Sequence, residues 1–111
     1  MRTLPPGAFE GARLRGEAGL VGVCFHASWC GFCRAFLPHF EARAAASPFP
    51  FALADISSYS DSRWETFVVK VVPTLILFKD GEAVWRKDAP LGIGLREKDI
   101  DKMLEAAGRL P

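Results

Sequence analysis

Apolar positions along the chain fall into runs that alternate between the period of a strand and that of a helix. Leu20-Val21-Gly22-Val23-Cys24-Phe25 is nearly unbroken, the pattern of a strand buried on both faces. From about Gly31 to Ala46, Phe36, Leu37 and Phe40 give an apolar face among good helix formers, and Ser47-Pro48 closes the element. Pro38 should kink this helix rather than end it, because the helical pattern resumes beyond it. Phe49 to Ile56 predicts a second strand, and the polar stretch Ser57 to Ser62 offers several helix caps. Arg63 to Val69 predicts a short helix or turn. Val71 to Phe78 predicts a third strand with Pro73 near its start, where a missing N–H does least harm. Lys79-Asp80-Gly81-Glu82 then predicts a hairpin turn, and Ala83 to Lys87 the return strand. After a Pro/Gly loop from Asp88 to Gly94, Leu95 to Ala107 predicts a closing helix. Ile100, Met103 and Leu104 form its inner face, Lys98, Asp99, Asp101 and Lys102 its solvated face, and Gly108 its stop. At the other end, Met1 to Leu4 reads as an edge strand or a frayed terminus, and Ala8 to Glu17 as a weak amphipathic helix interrupted by Gly11 and Gly16.

The order is strand–helix–strand–helix–strand–strand–helix. Strands separated by helices should pair in parallel through right-handed crossovers, and the tight turn makes the last pair antiparallel. The expected fold class is α/β, a mixed central sheet flanked by helices on both faces, built as one domain over residues 1–111. Lys and Arg number 14 against 13 Asp and Glu, so overall charge gives no reason to expect nucleic acid or an anionic membrane as partner. No apolar run approaches the ~20 residues of a membrane span, and the early charged residues do not read as a signal peptide. Three cysteines are too few for a disulfide scaffold, which makes a cytoplasmic, reducing setting the expectation.

The candidate chemistry sits where the first strand runs into the first long helix, at Trp29-Cys30-Gly31-Phe32-Cys33. A helix N-terminus carries partial positive charge and unpaired N–H groups, both of which stabilise a thiolate on the first cysteine. Cys30 should therefore be an exposed nucleophile of lowered pKa, with Cys33, one turn in and below the surface, as its resolving partner.

With this motif, Pro38 five residues after it, Val72-Pro73-Thr74 at a strand start and Lys79-Asp80-Gly81-Glu82 beyond, the chain resembles the thioredoxin family from about Leu20 to the last helix. The resemblance implies a thioredoxin fold and thiol–disulfide exchange with protein substrates through a redox-active Cys30–Cys33 disulfide, with no other cofactor. It implies a cis Pro73 against the active-site turn and Val72 offering backbone groups to a substrate. Trp29, Gly31, Phe32, Val72, Pro73 and Thr74 would form the substrate surface, completed by a residue from Asp88 to Gly92. A donor such as thioredoxin reductase and a monomeric state are further expectations.

Several positions depart from the family's pattern. Most thioredoxins carry a buried aspartate where this chain has Cys24, and a lysine on the next strand that falls near Leu53 here. His26 stands in a slot that is usually aromatic, and Phe32 replaces the proline between the cysteines, so tuning of the reaction is where this chain should differ. Cys24 reads as a small core residue or as a third thiol beside Cys33. His26 reads as a filler of the aromatic slot or as a charge acting on Cys30. His39, Trp64 and Trp85 read as surface and packing residues. Cys24, His26, Cys30 and Cys33 invite a metal reading, but tetrahedral zinc needs four converging ligands and the redox motif explains the cysteines better. Two other functions share these residues: a non-catalytic binding or sensing module, and a more oxidising oxidase or isomerase.

Overall fold

The computed structural model describes residues 1–111. After a single 3-10 turn at Pro6–Ala8 come β1 (Phe9–Glu10), β2 (Arg13–Leu14), β3 (Leu20–His26), α1 (Gly31–Ala44), β4 (Phe51–Asp55), α2 (Arg63–Thr66), β5 (Thr74–Lys79), β6 (Glu82–Asp88) and α3 (Glu97–Arg109). The main sheet has the order β4-β3-β5-β6. β3 is its hub, buried from Val21 to Phe25 as its apolar run requires.

β3 and β4 pair in parallel with α1 crossing between them. The third strand departs from expectation, because β5 lies antiparallel to β3. β4 ends with Asp55 opposite His26, and β5 begins with Thr74 opposite Phe25, at the same end of the sheet. The connection contains only the short α2, so it never returns along the sheet and the chain re-enters running the other way. β6 then folds back antiparallel after the Asp80–Gly81 turn.

Helices cover both faces of the sheet, unequally. Cys24, Leu53, Leu75 and Leu77 face α1 and α3 and pack against Phe36, Phe40, Ile100 and Met103. The Phe40 and Phe51 rings stack at 4.7 Å. Val23, Phe25, Ala52, Ile76 and Phe78 face the other way, onto Phe9, Leu14 and Phe67. Each fully buried phenylalanine contributes about 1.5–3 kcal/mol.

The N-terminal segment is not the helix expected over Ala8 to Glu17. It is a small hairpin, with Phe9 opposite Leu14 and the turn at Gly11, whose φ of +57° suits glycine and not a helix. Phe9 and Leu14 are buried, so the hairpin caps the sheet face that α2 is too short to cover. The first residues are not frayed: Thr3 bridges Leu53, beyond the edge of β4. At the far end Gly108 lies inside α3 instead of stopping it, and Asp99 is only 3% exposed because its carboxylate accepts the Arg96 N–H at the head of the helix.

Candidate active site

β3 delivers the chain to the sheet end, and Cys30 caps α1 with extended backbone (φ −96°, ψ 114°). Its sulfur accepts the Cys33 N–H at 3.1 Å, and its thiol lies 3.5 Å from the Val72 carbonyl. An N–H aimed at sulfur from a helix's first turn favours negative charge there. Cys30 is 8% exposed, less open than the motif suggested, because Ala27 and Val72 pack against it. Cys33 is fully buried beneath it. Burial, then the Cys30 hydrogen bond, push the Cys33 thiol up to about 12.

Trp29 is tied to the loop after β4 and to α2: its Nε1–H donates to the Ser57 carbonyl at 2.9 Å, and its ring stacks with those of Tyr59 (5.3 Å) and Trp64 (6.2 Å). The Ser57 hydroxyl takes the Ser28 N–H at 2.8 Å and donates to Asp55, whose carboxyl that bond holds below the usual carboxylate range. Arg34 closes the loop from α1 by donating to the Ser28 carbonyl at 3.0 Å.

Beside Cys30 opens a groove of about 320 Å³. Trp29, Gly31, Phe32 and Val72, four of the residues the resemblance assigns to a substrate surface, line it, and the loop after β6 completes it with Ala89, Pro90, Leu91 and Gly92. The Val72–Pro73 peptide is cis. Pro73 and Thr74 are buried and do not line the groove, unlike the other residues assigned to that surface. Thr74 is fully buried, and its hydroxyl donates to the Val71 carbonyl at 2.8 Å, holding the turn that presents Val72. Trp64 and Lys70 also line the groove. The sequence reads Trp64 as packing and assigns Lys70 no role; only the fold of the 57–73 segment brings them beside Cys30, and the signal available is a tryptophan in an otherwise polar stretch.

Cys24 and Leu53 are register partners on β3 and β4, so the place where the family keeps an acid and a lysine holds two apolar side chains here. Cys24 is fully buried, and its thiol pKa is raised by burial first and by the two site cysteines second. Its packing against Phe36 and Leu75 is that of a core residue. Burial lowers the His26 pKa, outweighing the raising effect of Asp55 and Glu41. Burial thus disfavours the charged imidazole, which weighs against reading His26 as a positive charge acting on Cys30. Its Nε2 is buried without a hydrogen-bond partner. His39 is an exposed residue 3.8 Å from Glu97. No group of three or more His, Cys, Asp or Glu side chains is arranged to hold a metal ion.

A dithiol at a helix N-terminus, on this sheet and beside an apolar groove, defines a thiol–disulfide oxidoreductase. The thioredoxin family model matches residues 4–105. Thioredoxin of Chlamydia muridarum is 44% identical over 82 residues, covering 74% of this chain and 76% of its own. Among solved structures, Fasciola hepatica thioredoxin superposes with a TM-score of 0.67 at 30% identity, covering 80% of this chain and 81% of its own. Chlamydomonas reinhardtii thioredoxin f2 shares the fold with a TM-score of 0.77 at 18% identity, covering 100% and 98%. The chain belongs to the thioredoxin family. Proteins of this family act on protein disulfides and are themselves reduced by a reductase.

Proposed function

We propose that this protein is a protein-disulfide reductase in which Cys30 is the nucleophile and Cys33 the resolving thiol. The observation that carries the assignment is the Cys33 N–H directed at the Cys30 sulfur, with Cys33 closed off below it. Cys30 thiolate attacks one sulfur of a substrate disulfide, forming a mixed disulfide and releasing the other sulfur as a thiolate. Cys33 then gives up its proton and attacks the Cys30 sulfur, expelling the second substrate thiolate. Two electrons pass from the protein dithiol to the substrate, and the Cys30–Cys33 disulfide remains.

The reaction needs no group beyond the two sulfurs. Val72 supports an extended substrate: its N–H makes no backbone hydrogen bond, and it sits at the groove wall beside Trp29 and Phe32. Cys33 has no buried carboxylate at the neighbouring strand position to take its proton, so resolution is the slower step in this proposal. A donor such as thioredoxin reductase would return the disulfide to the dithiol, and the cytoplasm is the setting we propose for it. No helix is long and apolar enough to cross a membrane.

The test is insulin reduction driven by dithiothreitol, together with trapping. Cys33→Ser should hold a mixed disulfide with the substrate that dithiothreitol releases, and Cys30→Ser should neither trap nor accelerate. Full activity in Cys30→Ser overturns the assignment.

A further inference from the structure

We propose that Lys87, Arg96, Lys98 and Lys102 form a docking patch for an acidic stretch of the protein whose disulfide Cys30 attacks. The inference rests on the reductase reading and adds a substrate class to it. The four side chains surround a hollow of about 150 Å³ at the base of the loop after β6. Pro90 and Gly94 line both this hollow and the Cys30 groove, so one bound segment can run from the redox centre into the patch.

The positive charge is local. The chain carries 14 Lys and Arg against 13 Asp and Glu, so the patch does not reflect a basic protein. Two of the nearby acids, Asp88 and Asp101, are paired with arginines outside the patch. Asp88 pairs with Arg86 at 2.8 Å, Asp101 with Arg43 at 2.5 Å, and Glu97 lies 3.8 Å from His39. Asp99, the acid that lines the hollow, is buried and accepts the Arg96 N–H at 2.8 Å. None of the four cations takes part in an ion pair. Lys98 and Lys102 stand one turn apart on α3, a like-charge spacing that weakens a helix unless an anion answers it. Lys70, exposed at the Cys30 groove and also unpaired, carries the same sign onto the other side.

Between groove and patch the surface is apolar. Leu91 and Ile93 are 84% and 52% exposed, lining the groove and the hollow respectively. The partner that fits is therefore a protein segment with apolar residues near its disulfide and glutamate or aspartate beyond them. A small anion would use the patch without the apolar bridge.

The experiment compares two disulfide peptides of one apolar sequence, one ending in a run of Glu and the other in a run of Gln. Each rate is taken relative to that of dithiodipyridine, an uncharged small disulfide. The reduced protein should turn over the Glu peptide about tenfold faster at low salt, within the range of electrostatic steering. The advantage should vanish near about 0.5 M NaCl, where the Debye length shrinks to a few ångströms. In the Lys98→Glu/Lys102→Glu variant the Glu-to-Gln ratio should fall to about one or below, as expected when the steering charge is reversed. Equal rates for the two peptides at low salt, or an unchanged ratio in the variant, overturn the docking patch while dithiodipyridine reduction keeps the redox reading intact. If dithiodipyridine itself is not reduced, the redox reading fails and the patch with it.

Discussion

Burial of the Cys33 thiol makes alkaline pH a direct probe of the site. The folded chain raises this thiol from its ordinary 9.0 to about 12, chiefly because a thiolate at a fully enclosed position has lost its water. Above the ordinary thiol range the unfolded chain gives up a proton that the folded chain keeps. Stability contributed by Cys33 is therefore intact below about pH 9 and lost as pH climbs toward 12. The slope is at most about 1.4 kcal/mol per pH unit, and three units between 9.0 and 12 make a ceiling of about 4 kcal/mol. That is a large share of the roughly 5–15 kcal/mol typical of a whole domain. Cys24 shifts in the same direction, and lysines titrate in the same window, so the comparison has to cancel both. Urea unfolding of Cys30→Ser and Cys30→Ser/Cys33→Ser between about pH 7 and 10.5 cancels the lysines, and it cancels the largest part of the Cys24 shift, which comes from its own burial. The two stability curves should stay a constant distance apart up to about pH 9 and then converge or cross, the Cys33-containing protein losing more by about 1 kcal/mol per unit. Curves that remain parallel to the top of the range would refute the claim that Cys33 is held as a thiol by burial.

Gly94→Ala should damage the site without touching a cysteine. Its φ is +79°, and an added Cβ would lie 2.8 Å from the Phe32 ring and 3.2 Å from Phe32 Cβ. The backbone alone costs about 1–2 kcal/mol, so a lower Tm and slower insulin reduction are expected, and a wild-type rate would show that the Phe32 placement does not matter. Asp61→Asn should cost about 3–5 kcal/mol in urea unfolding, because it leaves a buried guanidinium uncompensated. Arg63 is 3% exposed, donates to Asp61 at 2.8 Å and reaches the Leu4 and Asp55 carbonyls, tying the first residues of the chain to the end of β4. A loss below about 1 kcal/mol would mean that the pair is weakly coupled.

Local chemistry made much of the site legible before any coordinates. Cys-x-x-Cys at a helix start sets sulfur against backbone N–H groups whatever lies further away, and the β3 run announces burial on both faces because no polar residue interrupts it. Asp80-Gly81 reports its own turn for the same reason. The expectations that failed are those that depend on what a segment meets. Ala8 to Glu17 became a hairpin because an open sheet face offered Phe9 and Leu14 a place to bury. β5 reversed direction because the connection before it stays at one end of the sheet. Cys30 proved less exposed than its motif suggests because Val72 closes over it, and Thr74 went inward because its hydroxyl was needed by Val71.

The amino-acid sequence by itself determined the redox pair and the strand that presents it, which follow from residues close together in the chain, and the family, which follows from short motifs at characteristic spacings. Tertiary structure alone decided which distant residues join them. It brought Trp64 and Tyr59 onto Trp29, made Cys24 a core neighbour of Phe36, half-buried His26 so that its charged form is disfavoured, and paired Asp101, beside Lys102, with Arg43. Burial, pairing and charge balance are properties of what surrounds a side chain, and only the folded chain supplies the surroundings.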